Sequence, residues 1–307
     1  MLFCYESTHT LTYRDLKQAS IHRLVQIGLE EPEANLEIRW LLEHLTGWSG
    51  VDVLLHLDHS VTATHLERWE SFLRRRIQHE PIQYIVGTAP FLGLTLNVNP
   101  KVLIPRPETE WLTHWLSTHF PGPLRILDIG TGSGCIALGL KHLRPEYQVT
   151  ACDVSMAALE VARENARKNQ IDVQFYSADM LNSSFPETFA TPFDLIVSNP
   201  PYVLREEAHT LQKEVIAYEP HLALFTEGAP LRFYRILVLH AAKMLVPGGW
   251  MALECHTDFA NDVRILLEDS GLFKAQVIHD LSGKPRMAIG QKIKKEPDLI
   301  KRPTLLA

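Results

Sequence analysis

Cysteine is scarce in this sequence. The 307 residues contain four cysteines, Cys4, Cys135, Cys152 and Cys255, and no two of them form a C-x-x-C pair. We therefore expect reduced thiols of a cytosolic protein rather than a disulfide framework or a zinc site. Fifteen histidines are present, but none belongs to a ligand-type cluster. The two in HLDH, residues 56–59, have helical spacing without partners and are interpreted as surface residues, so no metal site is predicted.

Long apolar runs are absent as well. No uninterrupted apolar segment approaches the roughly 18 residues that a membrane-spanning helix requires. The opening stretch, MLFCYESTHT, lacks the basic segment and apolar core of a secretory leader. We therefore expect no membrane association and a cytoplasmic location.

Positive charge is in slight deficit. Lys and Arg number 30 against 36 Asp and Glu, which gives a formal net charge of -6 and a pI near 6.2. This balance disfavours binding to nucleic acid by bulk phosphate neutralisation, and we expect no direct nucleic-acid binding. A hydrophobic content of 46% and a charged content of 21% are those of an ordinary globular protein. The length allows one large domain or two of unequal size.

The amino-terminal part of the chain carries the helical period. Apolar residues recur on one face in residues 11–29, and the same character returns in residues 33–47, where Gly47 is a candidate helix terminator. The pattern predicts a small all-helical domain over residues 1–80.

A third helix is predicted over residues 62–78. It opens with Thr64 and Glu67 at capping-box spacing. It ends in three consecutive arginines, residues 74–76, which suit a helix C-terminus and are interpreted as a solvated helix end.

The pattern changes at residue 81. Residues 84–99 alternate apolar and small side chains around Gly87 and Gly93, which predicts a β-hairpin within a linker of residues 81–104. From residue 124 onward, short β-branched runs alternate with helical segments. Such alternation predicts an α/β domain over residues 105–292, a doubly wound, mostly parallel sheet with helices on both faces. The charged, aperiodic residues 293–307 are predicted to be a mobile tail.

A glycine-rich turn follows the first strand of that domain. In ILDIGTGSGCIAL, residues 126–138, the glycines Gly130, Gly132 and Gly134 let the backbone turn tightly and approach a ligand. Asp128 ends the same strand. A turn of this kind can also be purely structural, so its context decides the interpretation.

That context consists of two further strand ends. The second strand ends in Asp153, near the spacing at which a carboxylate accepts ribose hydroxyls, and the third ends in Asp179 and Met180. The alternative for Asp153 is a helix N-cap. Together the strand ends predict a nucleotide-type cofactor site. The glycine pattern leaves dehydrogenase and methyltransferase open.

The fourth strand ends in a more specific way. FDLIVS runs into Asn199, Pro200, Pro201 and Tyr202, and the prolines cannot continue a central strand. They hold Asn199 in extended geometry. A rigid strand-ending turn with a solvated asparagine is one interpretation. The other is a clamp for a flat –NH2 group, because the Asn199 Oδ1 atom and the Pro200 carbonyl can each accept one N–H while Tyr202 offers a planar face.

With these residues in place, the chain resembles the HemK-like N5-glutamine methyltransferases that modify peptide chain release factors. The resemblance covers residues 10–291. It is carried by six stretches: EPIQYIVG, VLIPRPETE, DIGTGSGCIAL, SNPPY, YEPHLALF and DLSGKPR. A sister group that methylates a ribosomal protein has Ser-Pro after the Pro-Arg of the second stretch. Here Pro107 and Glu108 follow, which favours the release-factor branch. LECHTD, residues 253–258, departs from the family, which has a glycine and a downstream glutamine here.

The resemblance implies a Rossmann-like class I methyltransferase that transfers a methyl group from S-adenosyl-L-methionine to the side-chain nitrogen (N5) of a glutamine. The implied target lies in the Gly-Gly-Gln motif of class I release factors, with residues 1–80 recognising that protein; a monomer is expected. The implied catalytic residues are Asn199, Pro200 and Tyr202, and the substrate-binding residues are these with Pro201. The implied cofactor-binding residues are Gly130, Thr131, Gly132, Ser133, Gly134, Asp153, Met180 and Asn199.

Three alternatives stay open beside this hypothesis. The asparagine-proline-proline-tyrosine signature is shared with adenine N6-methyltransferases of nucleic acid, because the amine of adenine is a similarly flat –NH2. A ribosomal-protein glutamine methyltransferase is the second. The third is a methyltransferase fold kept as a binding scaffold. Such a protein is expected to have an altered glycine loop or to lack Asn199, but both features are intact here.

Overall fold

The computed structural model describes residues 11–294. Within that range the chain forms two compact units. One comprises the described residues up to Gly87 together with Lys213–Tyr218, and the other comprises Thr88–Gln212 and the described residues from Glu219 onward. No helix within residues 11–294 has both the length and the apolarity needed to cross a membrane. Cys4 and residues 295–307 of the predicted mobile tail (residues 293–307) lie outside the described residues.

The first unit is helical, as predicted. Its helices are α1 (Tyr13–Gln26), α2 (Glu31–Thr46), α3 (Gly50–Leu55), α4 (Ala63–Ile77) and α5 (Ile82–Val86). Leu16, Ile38 and Trp69 are fully buried in its core, and the Trp69 indole N–H donates to the Ser20 hydroxyl at 2.9 Å. Gly47 ends α2 in the left-handed conformation, φ 72°, which glycine adopts without steric cost. The terminator predicted at this position is confirmed.

The start of α4 differs from the prediction. The N-cap is Thr62, whose side chain accepts the His65 N–H at 3.2 Å, and the predicted Thr64–Glu67 capping box is wrong. Thr62 is the last residue before the helix with extended backbone (φ -75°, ψ 153°). An N-cap requires extended backbone. The sequence pattern suited either Thr62 or Thr64, and only the backbone conformation identifies Thr62 as the cap.

One residue of the arginine run at the end of α4, Arg76, is buried and not solvated as predicted. The Arg76 side chain is only 2% exposed. It donates through Nε to the Glu37 carboxylate at 2.6 Å, and its Nη1 lies 2.9 Å from Glu214 Oε2. The interpretation was wrong for Arg76 because the sequence does not show which acidic residues pack against it.

The second unit opens with a hairpin. Strands β1 (Thr88–Phe91) and β2 (Leu94–Asn97) pair antiparallel. They are joined by Leu92 and Gly93, which both have positive φ (49° and 81°), as a tight hairpin turn requires. The predicted hairpin is therefore confirmed, but its start is corrected. Residues 84–86 belong to α5, and the hairpin begins after Gly87, which ends that helix with a φ of 77°.

The remaining elements alternate along the chain. They are α6 (Pro107–His119), β3 (Arg125–Ile129), α7 (Cys135–Leu143), β4 (Gln148–Asp153), α8 (Met156–Asn169), β5 (Gln174–Ser177), β6 (Phe193–Ser198), β7 (Val203–Leu204), α9 (Lys213–Tyr218), α10 (His221–Leu224), β8 (Phe225–Thr226), α11 (Arg232–Met244), β9 (Leu245–Glu254), α12 (Ala260–Asp269), β10 (Phe273–His279) and β11 (Pro285–Lys292). Of these, α9 belongs to the helical unit.

Seven of these strands form one sheet in the order β10-β11-β9-β6-β3-β4-β5. The five strands from β9 to β5 are parallel, and β11 runs antiparallel to both of its neighbours. Neighbouring residues of β3 face opposite sides: Leu127 packs in a core with α11 and α12, whereas Ile126 packs in a core with α6 and α7. The predicted doubly wound, mostly parallel sheet with helices on both faces is confirmed.

Candidate active site

The carboxyl ends of the parallel strands surround a cavity of about 270 Å³ within the second unit. In open parallel sheets this edge is where ligands bind. The predicted site residues that line the cavity share positions just after β3, β4, β5 and β6: Gly130, Thr131, Gly132, Ser133, Asp153, Met180, Asn199, Pro200 and Pro201. Two predicted residues, Gly134 and Tyr202, are not among the lining residues.

The glycine loop between β3 and α7 leaves space above its backbone. Gly130 and Gly132 have φ values of 75° and 55°, and a Cβ atom built on either would meet no atom within 4 Å. Gly134 is different, since a Cβ there would lie 3.3 Å from the Ala162 Cβ and 3.2 Å from Leu138. The first two glycines thus serve the conformation of an open loop. Gly134, whose φ of 84° is also positive, in addition allows α7 and α8 to pack closely.

Asp128 lies beneath this loop and is fully buried. Its Oδ2 atom accepts the Thr131 hydroxyl at 2.7 Å and the Ala137 N–H at 3.2 Å. Burial raises the pKa of Asp128 to about 7, and these two hydrogen bonds oppose the rise. Its Oδ1 atom has no hydrogen-bond partner in the part of the chain that the structure describes. Asp128 is not among the residues that line the cavity, so its hydrogen bonds hold the glycine loop from beneath.

Asp153 ends β4 and is held by backbone donors on both oxygens. Oδ2 accepts the Gly132 N–H at 2.9 Å, and Oδ1 accepts the Ser155 N–H at 2.8 Å. Burial raises the pKa of this carboxyl group. The N-cap of α8 is Ser155, whose side chain accepts the Ala158 N–H. Asp153 is therefore not the helix cap, and its carboxylate joins the glycine loop to the cavity wall.

The third strand end contributes Asp179 and Met180 to the cavity wall. The Asp179 side chain accepts the Leu181 N–H at 2.9 Å. The Met180 carbonyl lies 2.8 Å from the Nε2 atom of His240 on α11, and the Met180 side chain is half-buried against the core. Met180 is held in place from the α11 side, with an apolar surface toward the cavity.

The asparagine-proline-proline turn leaves β6 at the centre of this edge. The Ser198 hydroxyl donates to the Ile129 carbonyl at 2.7 Å and joins β6 to the end of β3. The Asn199 Nδ2 atom donates to the Thr109 hydroxyl oxygen at 3.3 Å. Pro200 and Pro201 line the cavity beside Asn199. The structure thus places the amide and the two prolines after it, which the sequence singled out, at the wall of one cavity.

Tyr202 lies next to this turn. Its ring packs against the core formed with α11 and α12 and lies 6.0 Å from the ring of His256. Burial raises the pKa of its hydroxyl far above the ordinary value, so the group stays protonated at neutral pH. The role predicted for Tyr202 in substrate binding stays a prediction.

Sequence reasoning missed the partners that hold the cavity wall. The Glu219 carboxylate accepts the Ile104 N–H at 3.2 Å and an Arg106 N–H at 2.6 Å. Arg286 lies 3.3 Å from Glu108, across the start of α6. All these residues belong to stretches that carried the family resemblance. Their place in those stretches was the one signal in the sequence that could have pointed to them.

A second missed pair lies behind Asn199. The Thr109 hydroxyl donates to the Glu254 carboxylate at 2.7 Å, and both residues are buried. Burial raises the pKa of Glu254 to about 7, and the Thr109 hydrogen bond opposes the rise. Glu254 is the second residue of LECHTD, the segment that departs from the family. No role was predicted for it.

The residues at this edge fit a sulfonium nucleoside. The space above Gly130 and Gly132 admits a ligand near the backbone. The carboxylate of Asp153 can accept hydroxyl groups. Among residues 11–294 there is no cluster of three or more histidine, cysteine or acidic side chains placed to hold a metal ion.

Comparison with known proteins identifies the relatives of both units. Residues 15–87 match the family described as "PrmC N-terminal domain", and residues 108–232 match "Methyltransferase small domain". A methyltransferase structure from Pyrococcus furiosus has a TM-score of 0.50 at 24% identity, covering 72% of this chain and 98% of its own, which supports the fold alone.

Curated sequences extend the match to most of the chain. A release factor glutamine methyltransferase of Chlorobaculum tepidum is 39% identical over 87% of this chain and 92% of its own length. The protein of the same name from Deinococcus radiodurans is 38% identical over 89% of this chain and 96% of its own length. Identity of this level over nearly the whole length includes both units, and the chain therefore belongs to the release factor glutamine methyltransferase family.

Proposed function

We propose that this protein transfers a methyl group from S-adenosyl-L-methionine to the side-chain amide nitrogen of the glutamine in the Gly-Gly-Gln motif of class I peptide chain release factors. The observation that carries the proposal is the meeting of Asn199 and its two prolines with the glycine loop in one cavity, in a chain of this family. We further infer that it acts as a monomer in the cytoplasm, where release factors work.

The cofactor would be held by the residues after β3, β4 and β5. Asp153 would accept ribose hydroxyls, Met180 would pack against the adenine, and the loop from Gly130 to Gly134 would face the remainder. S-adenosyl-L-methionine, when bound, supplies the methyl group on a positively charged sulfur. The chain's own part is to hold and orient the acceptor.

The acceptor is a primary amide, whose nitrogen is a poor nucleophile because its lone pair is delocalised into the carbonyl. Asn199 Oδ1 and the Pro200 carbonyl would each accept one of its N–H groups. Burying those donors unpaired would be costly. The prolines keep the two acceptors fixed before the substrate arrives, so they need no reorganisation during reaction. The amide nitrogen gains a methyl group and releases one proton to solvent.

The Gly-Gly-Gln sequence suits such a cavity. A glutamine can reach acceptors at the base of a cleft only if its neighbours are slim, and glycines also permit the φ and ψ values of a tightly folded loop. The helical unit, in which none of the predicted catalytic residues lies, would bind the body of the release factor.

The deciding experiment supplies radiolabelled S-adenosyl-L-methionine with purified class I release factor, with a large-subunit ribosomal protein fraction, or with total RNA. We expect label in the release factor, and peptide mass spectrometry should find one added methyl group on the motif glutamine. Replacing that glutamine by glutamate removes both N–H donors and should abolish labelling. Label confined to RNA or to the ribosomal protein would overturn the proposal.

A further inference from the structure

We propose that Thr109 and Glu254 are positioning residues that determine which end of the Asn199 side-chain amide faces the acceptor substrate. The inference rests on the role proposed above for Asn199, because it concerns how that side chain is oriented. It goes beyond that role by assigning a task to two residues for which the sequence predicted none.

The three side chains form one chain of hydrogen bonds. Thr109 in the first turn of α6 donates its hydroxyl proton to Glu254 Oε2 at 2.7 Å, and its oxygen accepts from Asn199 Nδ2 at 3.3 Å. Thr109 and Glu254 are 3% and 2% exposed, so water has little access to the bond between them. Thr109 lies on α6, Glu254 on β9 and Asn199 directly after β6, so three separate elements hold the three partners.

The direction of these hydrogen bonds follows from the chemistry of Glu254. An ionised carboxylate can only accept hydrogen bonds, and a threonine hydroxyl has a single proton. When Glu254 is ionised, that proton is committed to it, and Thr109 offers only lone pairs to Asn199. The Nδ2 end of Asn199 must then face Thr109, which leaves the carbonyl oxygen on the opposite side of the planar amide.

The orientation matters because the substrate group is also an –NH2. Two amide –NH2 groups that face each other present donors to donors and cannot bond. Only the Oδ1 end of Asn199 accepts from the substrate nitrogen. A flipped Asn199 would fill the same volume and preserve the fold, yet it would remove the acceptor. Glu254 therefore acts through Thr109 to keep the acceptor in place.

The protonation state of Glu254 couples this orientation to pH. Burial raises the pKa of Glu254 to about 7. Below that pH the neutral acid can donate to Thr109, and the threonine proton becomes free to turn toward Asn199. The charged groups that act on Glu254 are Glu108 and Arg106 at the start of α6 and Arg286 on β11. Other titratable groups coupled to it are Cys135, Tyr202, Tyr234 and Cys255.

The test compares Thr109→Val, Thr109→Ser and the wild type in full-length protein, with saturating cofactor and release factor. Thr109→Val keeps the shape without the hydroxyl, and we expect kcat to fall about tenfold or more, since an oriented acceptor is lost. Thr109→Ser should restore most of the turnover. The cofactor Kd by calorimetry should change little in either variant.

Thr113→Val is the matched control. Thr113 lies one turn later on α6, is equally buried, and donates its hydroxyl only to the Thr109 carbonyl at 2.7 Å. We expect its kcat to stay within about twofold of the wild type. A Thr109→Val kcat that is also within twofold would overturn the inference.

A second measurement keeps the inference testable if Thr109→Val fails to fold. The wild-type kcat should fall as the pH decreases from 8 to 6, and Glu254→Gln, which cannot titrate, should lose this dependence. In ligand-free protein the Asn199 side-chain ¹⁵NH2 resonance, assigned by its absence in Asn199→Ala, should titrate near pH 7 in the wild type and not in Glu254→Gln. Retention of the wild-type pH profile in Glu254→Gln would overturn the inference.

The two proposals fail separately. If Asn199→Ala has normal turnover, the proposed role of Asn199 is wrong and the positioning role falls with it. If Asn199→Ala is inactive while Thr109→Val and Glu254→Gln behave as wild type, only the positioning role is wrong.

Discussion

The Gly132 N–H donates to Asp153 Oδ2 at 2.9 Å, so the carboxylate that ends β4 is joined to the loop that follows β3. The glycine loop and the strand-ending carboxylate, which the sequence predicted separately for cofactor binding, are therefore joined by a hydrogen bond. A change at Asp153 should act on the ligand and on the loop together.

Replacing Asp153 by alanine should weaken S-adenosyl-L-methionine binding by about 1–3 kcal/mol, because hydrogen bonds to an ionised acceptor are lost. Isothermal titration calorimetry measures the effect. Asp172→Ala, an exposed carboxylate before β5, is the control and should leave Kd unchanged. Unaltered binding in Asp153→Ala would show that the ribose is held elsewhere.

Replacing Asn199 by alanine should reduce kcat by roughly 100-fold or more, because an acceptor that strengthens in the transition state is removed. Cofactor affinity should fall much less. Steady-state methylation of release factor, with calorimetry beside it, separates the two effects. Asn182→Ala, at an exposed position after β5, should keep normal turnover. Near-normal turnover in Asn199→Ala would eliminate the amide clamp.

Asp128 should make stability depend on pH. Burial raises its pKa to about 7 in the folded protein, whereas an aspartate in an unfolded chain titrates near 4. Between these values the folded state holds a proton that the unfolded state releases. The free energy of unfolding should therefore fall as the pH rises from about 4 to 7.

Denaturant unfolding of the ligand-free protein across this pH range measures the slope. In Asp128→Asn the contribution of this group disappears, and the decline should become shallower. It should not vanish, because Glu254 is shifted in the same direction. Equal slopes in variant and wild type would contradict the assignment.

The helical unit exposes apolar side chains on α3. Val51, Leu54 and Leu55 are 66%, 58% and 71% exposed, and exposed apolar clusters often mark protein-binding surfaces. If this unit recognises the release factor, Leu54→Asp with Leu55→Asp should lower kcat/KM for the intact protein by about tenfold. Activity on a short Gly-Gly-Gln peptide should not change. Leu239→Asp, an exposed position on α11, is the control; an unchanged kcat/KM in the α3 variant would count against this surface.

Arg76 should be important for the stability of the helical unit. Replacing it by methionine leaves Glu37 buried without its cation, a loss of the kind that costs about 3–5 kcal/mol. Arg74→Met, on an exposed position of the same helix, should change stability by less than about 0.5 kcal/mol. Thermal unfolding followed by circular dichroism compares the two. Equal melting temperatures would show that the Arg76–Glu37 pair contributes nothing net.

Several features of the fold and site could be predicted because they depend on residues close together in the chain. The alternation of β-branched runs with helical segments determined the layered sheet, since each pattern reflects which faces an element buries. Gly130 and Gly132 indicated an open loop, because only glycine adopts a positive φ freely. Pro200 and Pro201 indicated the end of β6, because proline lacks the N–H that a central strand needs.

The tertiary structure decided the partners. Thr109 meets Glu254 across 145 residues and Asn199 across 90, and no local period records such a meeting. Packing also buried Arg76 in a run that looked solvated. Local sequence determines backbone geometry through sterics and hydrogen bonding between near neighbours. Burial and pairing of side chains depend on which distant elements pack together. The sequence alone therefore predicted the acceptor Asn199 but not the residues that we propose orient it.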